Sequence, residues 1–327
     1  MDVRLVSESG VEQFAAGDLA DLLKRQDGVV WVDIPSCDAA ASAVLTTVFG
    51  FHPAAVRDSE QRNPVPKVHV YSDHVFVVLH APEPGASGHV HYVELDQFVG
   101  SNYLVTVHGP LNPAVTPDAA LVETKALARR LESGRLRPTA GFDLSFGVVS
   151  ALTKRMREYL TVLTQEVWNF EQQVTAGLLG DAEEFLDAMF RVRHGLLAVR
   201  TMALLSREVY GRMATLELFG HDRGRLLLAD MVDQFQRIAT MADGQKEYLQ
   251  GVIEFYQTRT NTKLTIAAER LAVIAAVTLP ITALSSVLGM NVIVNTSTHW
   301  FALWVLLAIM TVMSIALLIW AKRKGWW

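Results

Sequence analysis

Two long uncharged apolar runs near the C-terminal end, residues 271–288 and 301–320, restrict this chain more than any other feature. Each has about 18 to 20 residues, enough to cross a hydrocarbon core of roughly 30 Å as a helix. Only about a dozen residues lie between them, so the pair reads as a membrane hairpin with a very short connection. Half of the 327 residues are hydrophobic, but the excess is concentrated after Leu264, and what precedes it reads as soluble protein. The length suggests two domains.

The flanks set an expected topology. Arg259, Lys263 and Arg270 precede the first run, and Lys322, Arg323 and Lys324 follow the second. The stretch 292–299 between them has neither Lys nor Arg. Basic residues stay on the cytoplasmic side, so both termini are expected there, with the connection outside. Trp300 and Trp304 at one end, and Trp320, Trp326 and Trp327 at the other, suit interfacial aromatic belts. Residues 1–10 carry Asp2, Arg4 and Glu8 and no apolar core of a signal peptide, so the large N-terminal part is expected in the cytoplasm.

Composition removes several function classes. Cys37 is the only cysteine, which excludes an intramolecular disulfide and a cysteine metal cluster within one chain. A net charge of −5, with no basic stripe outside the membrane flanks, argues against nucleic-acid binding. No Gly-rich phosphate loop, His-Glu-x-x-His or nucleophile motif occurs, so no enzyme is expected. Asn295-Thr296-Ser297 matches a glycosylation sequon by chance, being too close to the membrane.

Residues 1 to 133 mix strands and short helices. Val29-Val30-Trp31-Val32-Asp33-Ile34 is a β-rich run, followed by an amphipathic helix over 37–49. Stretches 67–79 and 90–98 alternate apolar and polar residues, and Tyr103-Leu104-Val105-Thr106-Val107-His108 follows a Gly100-Ser101-Asn102 turn. A helix over 121–133 completes an α/β domain with a mixed sheet. Beyond it the chain reads as helix: 142–176, then 181–213 with an acidic first turn, then from Asp222 to Leu288 with only weak glycine breaks before Pro280. That last helix would be roughly 100 Å long, a stalk or the pore helix of an oligomer.

Gly289-Met290-Asn291 stands at the end of the first run. Trp31-Val32-Asp33-Ile34, then Phe51-His52-Pro53, Asp58, Arg62, Pro66, Lys67 and Tyr71-Ser72-Asp73, then Asp96-Gln97-Phe98 and the strand from Asn102 to His108, come before it in order. In this order, with the tripeptide and a second span, the chain resembles the CorA family of divalent-cation transporters over nearly its full length. The resemblance implies an α+β membrane protein assembled as a funnel-shaped homopentamer. Its parts would be a cytosolic α/β domain (1–141), a helical region (142–267) with a stalk helix from about 222, a first transmembrane pore helix (268–290), an external loop (291–299), a second transmembrane helix (300–321) and a basic tail (322–327). Five long helices would line the pore, with a ring of Asn291 amide oxygens at the external mouth and Gly289 giving backbone freedom. Magnesium dehydrates reluctantly, so neutral acceptors suit its hydrated form. The implied cargo is Mg²⁺, with Co²⁺ or Ni²⁺ besides; no organic cofactor is expected, and the implied location is the plasma membrane.

The residues themselves support a pathway. Stepping back by sevens from Thr282 gives Ala275, Ala268, Asn261, Glu254 and Glu247, small or polar where a buried coiled-coil seam would carry Leu or Ile. A straight helix drifts about 20° per heptad, which brings Thr265, Leu271 or Ala272, and Leu279 onto the same face. The threonines would offer hydroxyls to a hydrated ion, and the leucines would form constrictions that close by dewetting. Glu247 and Glu254 would concentrate cations, although a solvated helix face carries the same pattern.

The resemblance also implies regulatory Mg²⁺ held between neighbouring cytosolic domains. Asp230 corresponds best to the family's acidic residue on the long helix, Asp233 lies one turn on, and Asp96 or Glu94 would supply the partner carboxylate. Three departures stand out: Leu288 where an aromatic is typical, no acid in 292–299, and Lys154 near an often acidic helix start. Six of the ten histidines, His69, His74, His80, His89, His91 and His108, fall within 69–108. With the missing loop acid they keep a zinc transporter of the same fold as an alternative, which Met290 opposes. A non-conducting, membrane-anchored metal sensor is the other alternative.

Overall fold

Stretches rich in Val, Ile, Tyr and Trp pair into one seven-stranded sheet, because β-branched and aromatic side chains pack well on a pleated surface. The computed structural model describes residues 1–110, 112–177, 181–215, 222–289 and 300–323. These fall into two compact units, Met1–Val252 and Ile253–Trp327.

In the first unit, β1 (Asp2–Ser7) and β2 (Gly10–Phe14) form a hairpin, followed by α1 (Leu19–Leu22) and β3 (Gly28–Ile34). Next come α2 (Ala39–Thr47), α3 (Pro53–Glu60), β4 (Lys67–Val70), β5 (His74–Pro84), β6 (Val90–Gly100) and β7 (Tyr103–His108). The order across the sheet is β2-β1-β3-β7-β6-β5-β4, with β3 and β7 parallel and the other pairs antiparallel. The expected mixed sheet is therefore present. The alternating stretch 67–79 is two strands, not one: Tyr71 N–H donates to the His74 carbonyl at 2.9 Å, closing a tight turn between β4 and β5.

One sheet face, carrying Val30, Val32, Phe76, Val78, Phe98 and Val105, packs under Leu45, Phe51 and Val56 of the α2–α3 segment. Phe51 stacks on Phe98 with centroids 4.2 Å apart and an interplanar angle of 6°. The other face is covered by helices that follow the sheet: α4 (Pro117–Ala120), α5 (Val122–Glu132), α6 (Gly141–Ala176) and α7 (Ala182–Met213). Docking of α6 requires a glycine at its start. A Cβ on Gly141 would lie 2.1 Å from the Tyr103 carbonyl oxygen and 2.4 Å from that of Gly100. The helix ends at Gly177, whose φ of 74° is the left-handed conformation glycine adopts freely.

The acidic start of α7 is a genuine cap. Asp181 Oδ1 accepts from the main-chain N–H of Glu183 at 2.8 Å and of Glu184 at 3.1 Å. Asp181→Ala removes both bonds and a charge that favours the helix N-terminus. Its expected cost is about 1 kcal/mol, read as a small drop in the thermal midpoint of the full-length protein.

The longest element is α8 (Asp222–Gly289), a 68-residue helix with Pro280 inside it. Within the first unit it buries Leu228, Met231, Phe235, Ile238 and Ala242, a spacing of three and four that keeps one face inward. Tyr210 of α7 stacks on Phe235 with centroids 5.8 Å apart. In the second unit lie the remainder of α8 and α9 (Trp300–Arg323), which carries the second apolar run. Among the described residues, the helical stretch Arg223–Ser286 is long and apolar enough to cross a membrane, and none of its apolar window is buried. Leu271, Ile274 and Leu279 on α8, and Phe301, Trp304 and Val312 on α9, are exposed. In water such surfaces would be a heavy liability, and lipid is the medium that suits them.

Candidate ion pathway and regulatory residues

Every residue of the expected pathway that is described lies on α8. Glu247 belongs to the first unit, and Glu254, Asn261, Thr265, Leu271, Ala275, Leu279 and Thr282 belong to the second. All are exposed except Ala275, which is half-buried. Within the second unit the heptad positions from Glu254 to Thr282 follow one slowly turning face of α8.

The threonines in it have a fixed polarity. Thr265 Oγ1 donates to the Asn261 carbonyl at 3.0 Å, and Thr282 Oγ1 donates to the Thr278 carbonyl at 2.8 Å. Each hydroxyl hydrogen is thus used within the helix, which leaves oxygen lone pairs facing outward. Outward acceptors without a competing donor suit the waters around a cation. Gly289 is the last residue of α8, whereas Met290, Asn291 and the expected loop up to residue 299 lie outside the described residues.

Asp230 and Asp233 are both exposed on α8 in the first unit. Asp230 Oδ2 accepts from Gln234 Nε2 at 2.6 Å, and Asp233 pairs with Arg237 at 2.5 Å. Surface pairs of this kind are weak and open readily to a competing ion. The expectation for Asp96 needs correction. Asp96 is 0% exposed and Glu94 is 8% exposed, both inside the sheet's core. Asp96 is enclosed in the core and is not placed to reach an ion at the unit's surface, and Glu94 opens only onto a small cavity.

The histidines do not gather. His74 is buried between Phe51 and Tyr71, His80 is buried beside Asn63, and His108 is buried against Asp33 at 3.1 Å. His89 and His91 do meet edge to face, 4.6 Å between ring centroids. Among the described residues, no group of three or more His, Cys, Asp or Glu is arranged to hold a metal ion. Lys154, a departure from the family pattern, pairs with Glu158 at 3.5 Å on the surface of α6. Cys37 is half-buried, and burial pushes its thiol pKa up to about 11, which keeps it unreactive.

Two arrangements had no local signal in the sequence. Asn63 binds Glu94 through both its main-chain and side-chain N–H groups. Arg155 of α6 ties Glu123 and Glu83 together inside the first unit. Their partners are 31 to 72 residues away, and only the fold brings them into contact.

The profile of the CorA-like Mg²⁺ transporter protein family matches residues 26–323, and the chain belongs to this family. It is 22% identical to YfjQ of Bacillus subtilis (strain 168) over 298 residues, covering 90% of this chain and 89% of that protein. It is 21% identical to the cobalt/magnesium transport protein CorA of Thermotoga maritima over 289 residues, covering 85% and 77% of the two. Its fold is similar to that of the CorA magnesium transporter from Methanocaldococcus jannaschii. The TM-score is 0.81 at 15% identity, covering 100% of this chain and 99% of that one. Members of the family are membrane proteins that transport metal ions and are not enzymes.

Proposed function

We propose that this protein is a divalent-cation channel that moves hydrated Mg²⁺, and Co²⁺ or Ni²⁺ besides, across the plasma membrane as a homopentamer. The observation that carries this reading is the stripe on α8: small, polar or exposed along its length, with outward hydroxyl oxygens, and ending at Gly289. Five copies of α8 line the pathway, with α9 helices outside them. Met290 and Asn291 complete the filter, where amide oxygens accept from the waters of an ion that keeps its shell. Leu271 and Leu279, 67% and 66% exposed in the single chain, form the hydrophobic constrictions. Glu247 and Glu254 raise the cation concentration at the cytosolic end. Asp230 and Asp233 hold regulatory Mg²⁺ between neighbouring copies, displacing Gln234 and Arg237. Both termini are cytoplasmic, and the second apolar run returns the chain to that side.

Uptake of Mg²⁺, Co²⁺, Ni²⁺ and Zn²⁺ into proteoliposomes tests the proposal. Mg²⁺ flux, shared by Co²⁺ or Ni²⁺, is the expected result. Zn²⁺ flux without Mg²⁺ would replace the cargo with zinc. Absence of any flux from a verified pentamer at low internal Mg²⁺ would sink the channel and leave a metal sensor.

A further inference from the structure

Two acidic side chains lie where the first unit can least accommodate charge. Glu94 and Asp96 are two residues apart on β6, so both point to the face that Phe98 shares with the α2–α3 segment. Glu94 is clamped by the connection between α3 and β4. The main-chain N–H of Asn63 donates to Glu94 Oε2 at 2.8 Å, and Asn63 Nδ2 donates to Oε1 at 2.5 Å. The same Nδ2 also donates to the carbonyls of Asp58 and Gln61, and the Asn63 carbonyl accepts from His80 Nε2 at 2.8 Å. One asparagine thus holds the connection, the end of α3 and two strands together.

Asp96 has less help: no hydrogen bond of good geometry reaches either carboxyl oxygen, and its polar neighbours are the Ser59 hydroxyl and the Glu94 carboxyl. Among the described residues, no Lys, Arg or His forms an ion pair with either carboxyl. His80, opposite Glu94 in the β5–β6 ladder, is neutral, since burial pushes its pKa down to about 4. Lys67 of β4 is committed to Asp58 of α3 at 2.6 Å. Arg62 lines the rim of a small cavity with Glu94 and lies near His80. The other groups near the pair are the Ser59 hydroxyl on α3, the Cys37 thiol ahead of α2, which Glu60 also faces, and His108 at the end of β7, which lines the same small cavity as Glu94. Burial, and then the charge of Glu94, hold Asp96 well above the usual carboxyl range; burial also raises Glu94, against the Asn63 donors.

We propose that Glu94 and Asp96 carry one proton between them at neutral pH, and that this proton is a latch holding the α3–β4 connection against the sheet. Losing it puts two like charges side by side in the core. The connection, with Asn63 in it and Asp58 and Lys67 flanking it, then opens to let water reach them. A carboxyl whose pKa is higher in the fold than in the unfolded chain binds its proton more tightly when folded. Its stabilising effect is therefore complete at acid pH and declines as pH rises through the folded value. The latch is closed in acid and released toward alkali.

The test uses the full-length protein in detergent. The infrared carbonyl band of a protonated carboxylic acid is followed from mildly acid to alkaline pH. Amide hydrogen exchange of residues 58–67, corrected for intrinsic rate, is followed in parallel. The wild type is expected to show the band at neutral pH and to lose it as exchange of the connection rises, by up to about tenfold per pH unit for one proton. Asp96→Asn should lack the band and exchange with no pH dependence beyond the intrinsic rate. If that variant fails to fold, Glu94→Gln decides. Without the neighbouring charge, its band should disappear at lower pH than in the wild type. No band in the wild type at neutral pH, identical exchange in wild type and Asp96→Asn, or an unmoved band in Glu94→Gln would each overturn the latch.

Discussion

Replacing Asn291 with Ala is expected to reduce Mg²⁺ uptake into proteoliposomes to the background of empty vesicles. On the proposed reading, five Asn291 amide oxygens meet the waters of one hydrated ion at the external mouth. A hydrogen bond to a charged partner is worth about 1.5–3 kcal/mol, and waters polarised by Mg²⁺ are of that kind. Removing the whole ring at once therefore costs several kcal/mol at the filter. With each 1.4 kcal/mol equal to a factor of ten, occupancy falls by orders of magnitude. The stretch 292–299 has no Asp or Glu to make up the loss. The assay is a Mg²⁺-sensitive dye inside the vesicle, with the oligomer checked by size in detergent. A variant that assembles and conducts like the wild type would remove Asn291 from the filter. Asn291→Asp makes a useful partner. Its ring of charge binds the ion more tightly, and conduction needs a site weak enough to leave.

The long helices were legible because a sequence of 30 or more residues gives period and breaks many chances to agree. Reading 142–176 as helix comes within one residue of Gly141–Ala176, since Gly177 supplies the stop. Reading 222–288 matches Asp222–Gly289 because no proline interrupts it before Pro280. Short strands are different. The hairpin of β1 and β2 was not anticipated: β2 is an edge strand, mostly exposed, and shows no apolar alternation. The turn at 71–73 does carry a signal, the polar run Ser72-Asp73-His74, but the alternation on either side of it reads as one strand. Asp96 was misplaced for a more general reason. Alternation separates a buried face from a wet one only when one face is wet. Here α2 and α3 cover one face of β6 and α6 the other, so Glu94, Asp96 and Gln97 are all buried. Each depends on neighbours that local sequence does not reveal, as Gln97 does on Ser145, whose hydroxyl donates to it at 2.6 Å across 48 residues.

Arg155→Ala is expected to destabilise the first unit strongly. The guanidinium is 10% exposed, and Glu123 is 1% exposed. Arg155 Nη1 donates to both Glu123 oxygens at 3.1 and 3.2 Å and to the Ala119 carbonyl at 3.0 Å, while Nη2 donates to Glu83 Oε2 at 2.7 Å. One side chain thus joins α6 to α5, to the end of α4 and to β5. Glu83 is 31% exposed and can turn to water once the arginine is gone. Glu123 cannot, and its stranded charge sets the cost at about 3–5 kcal/mol, the range for breaking a buried pair from one side. Arg155→Lys should recover only part of this, because an ammonium cannot serve both glutamates with the planar fork of arginine. The decisive comparison is Arg155→Met with Glu123→Leu. If the penalty is an unpaired buried charge, removing the second charge restores most of the thermal midpoint lost in Arg155→Met alone, although one more interaction has been deleted. If instead the three-way bridge itself supplies the stability, the double variant unfolds at or below the single one.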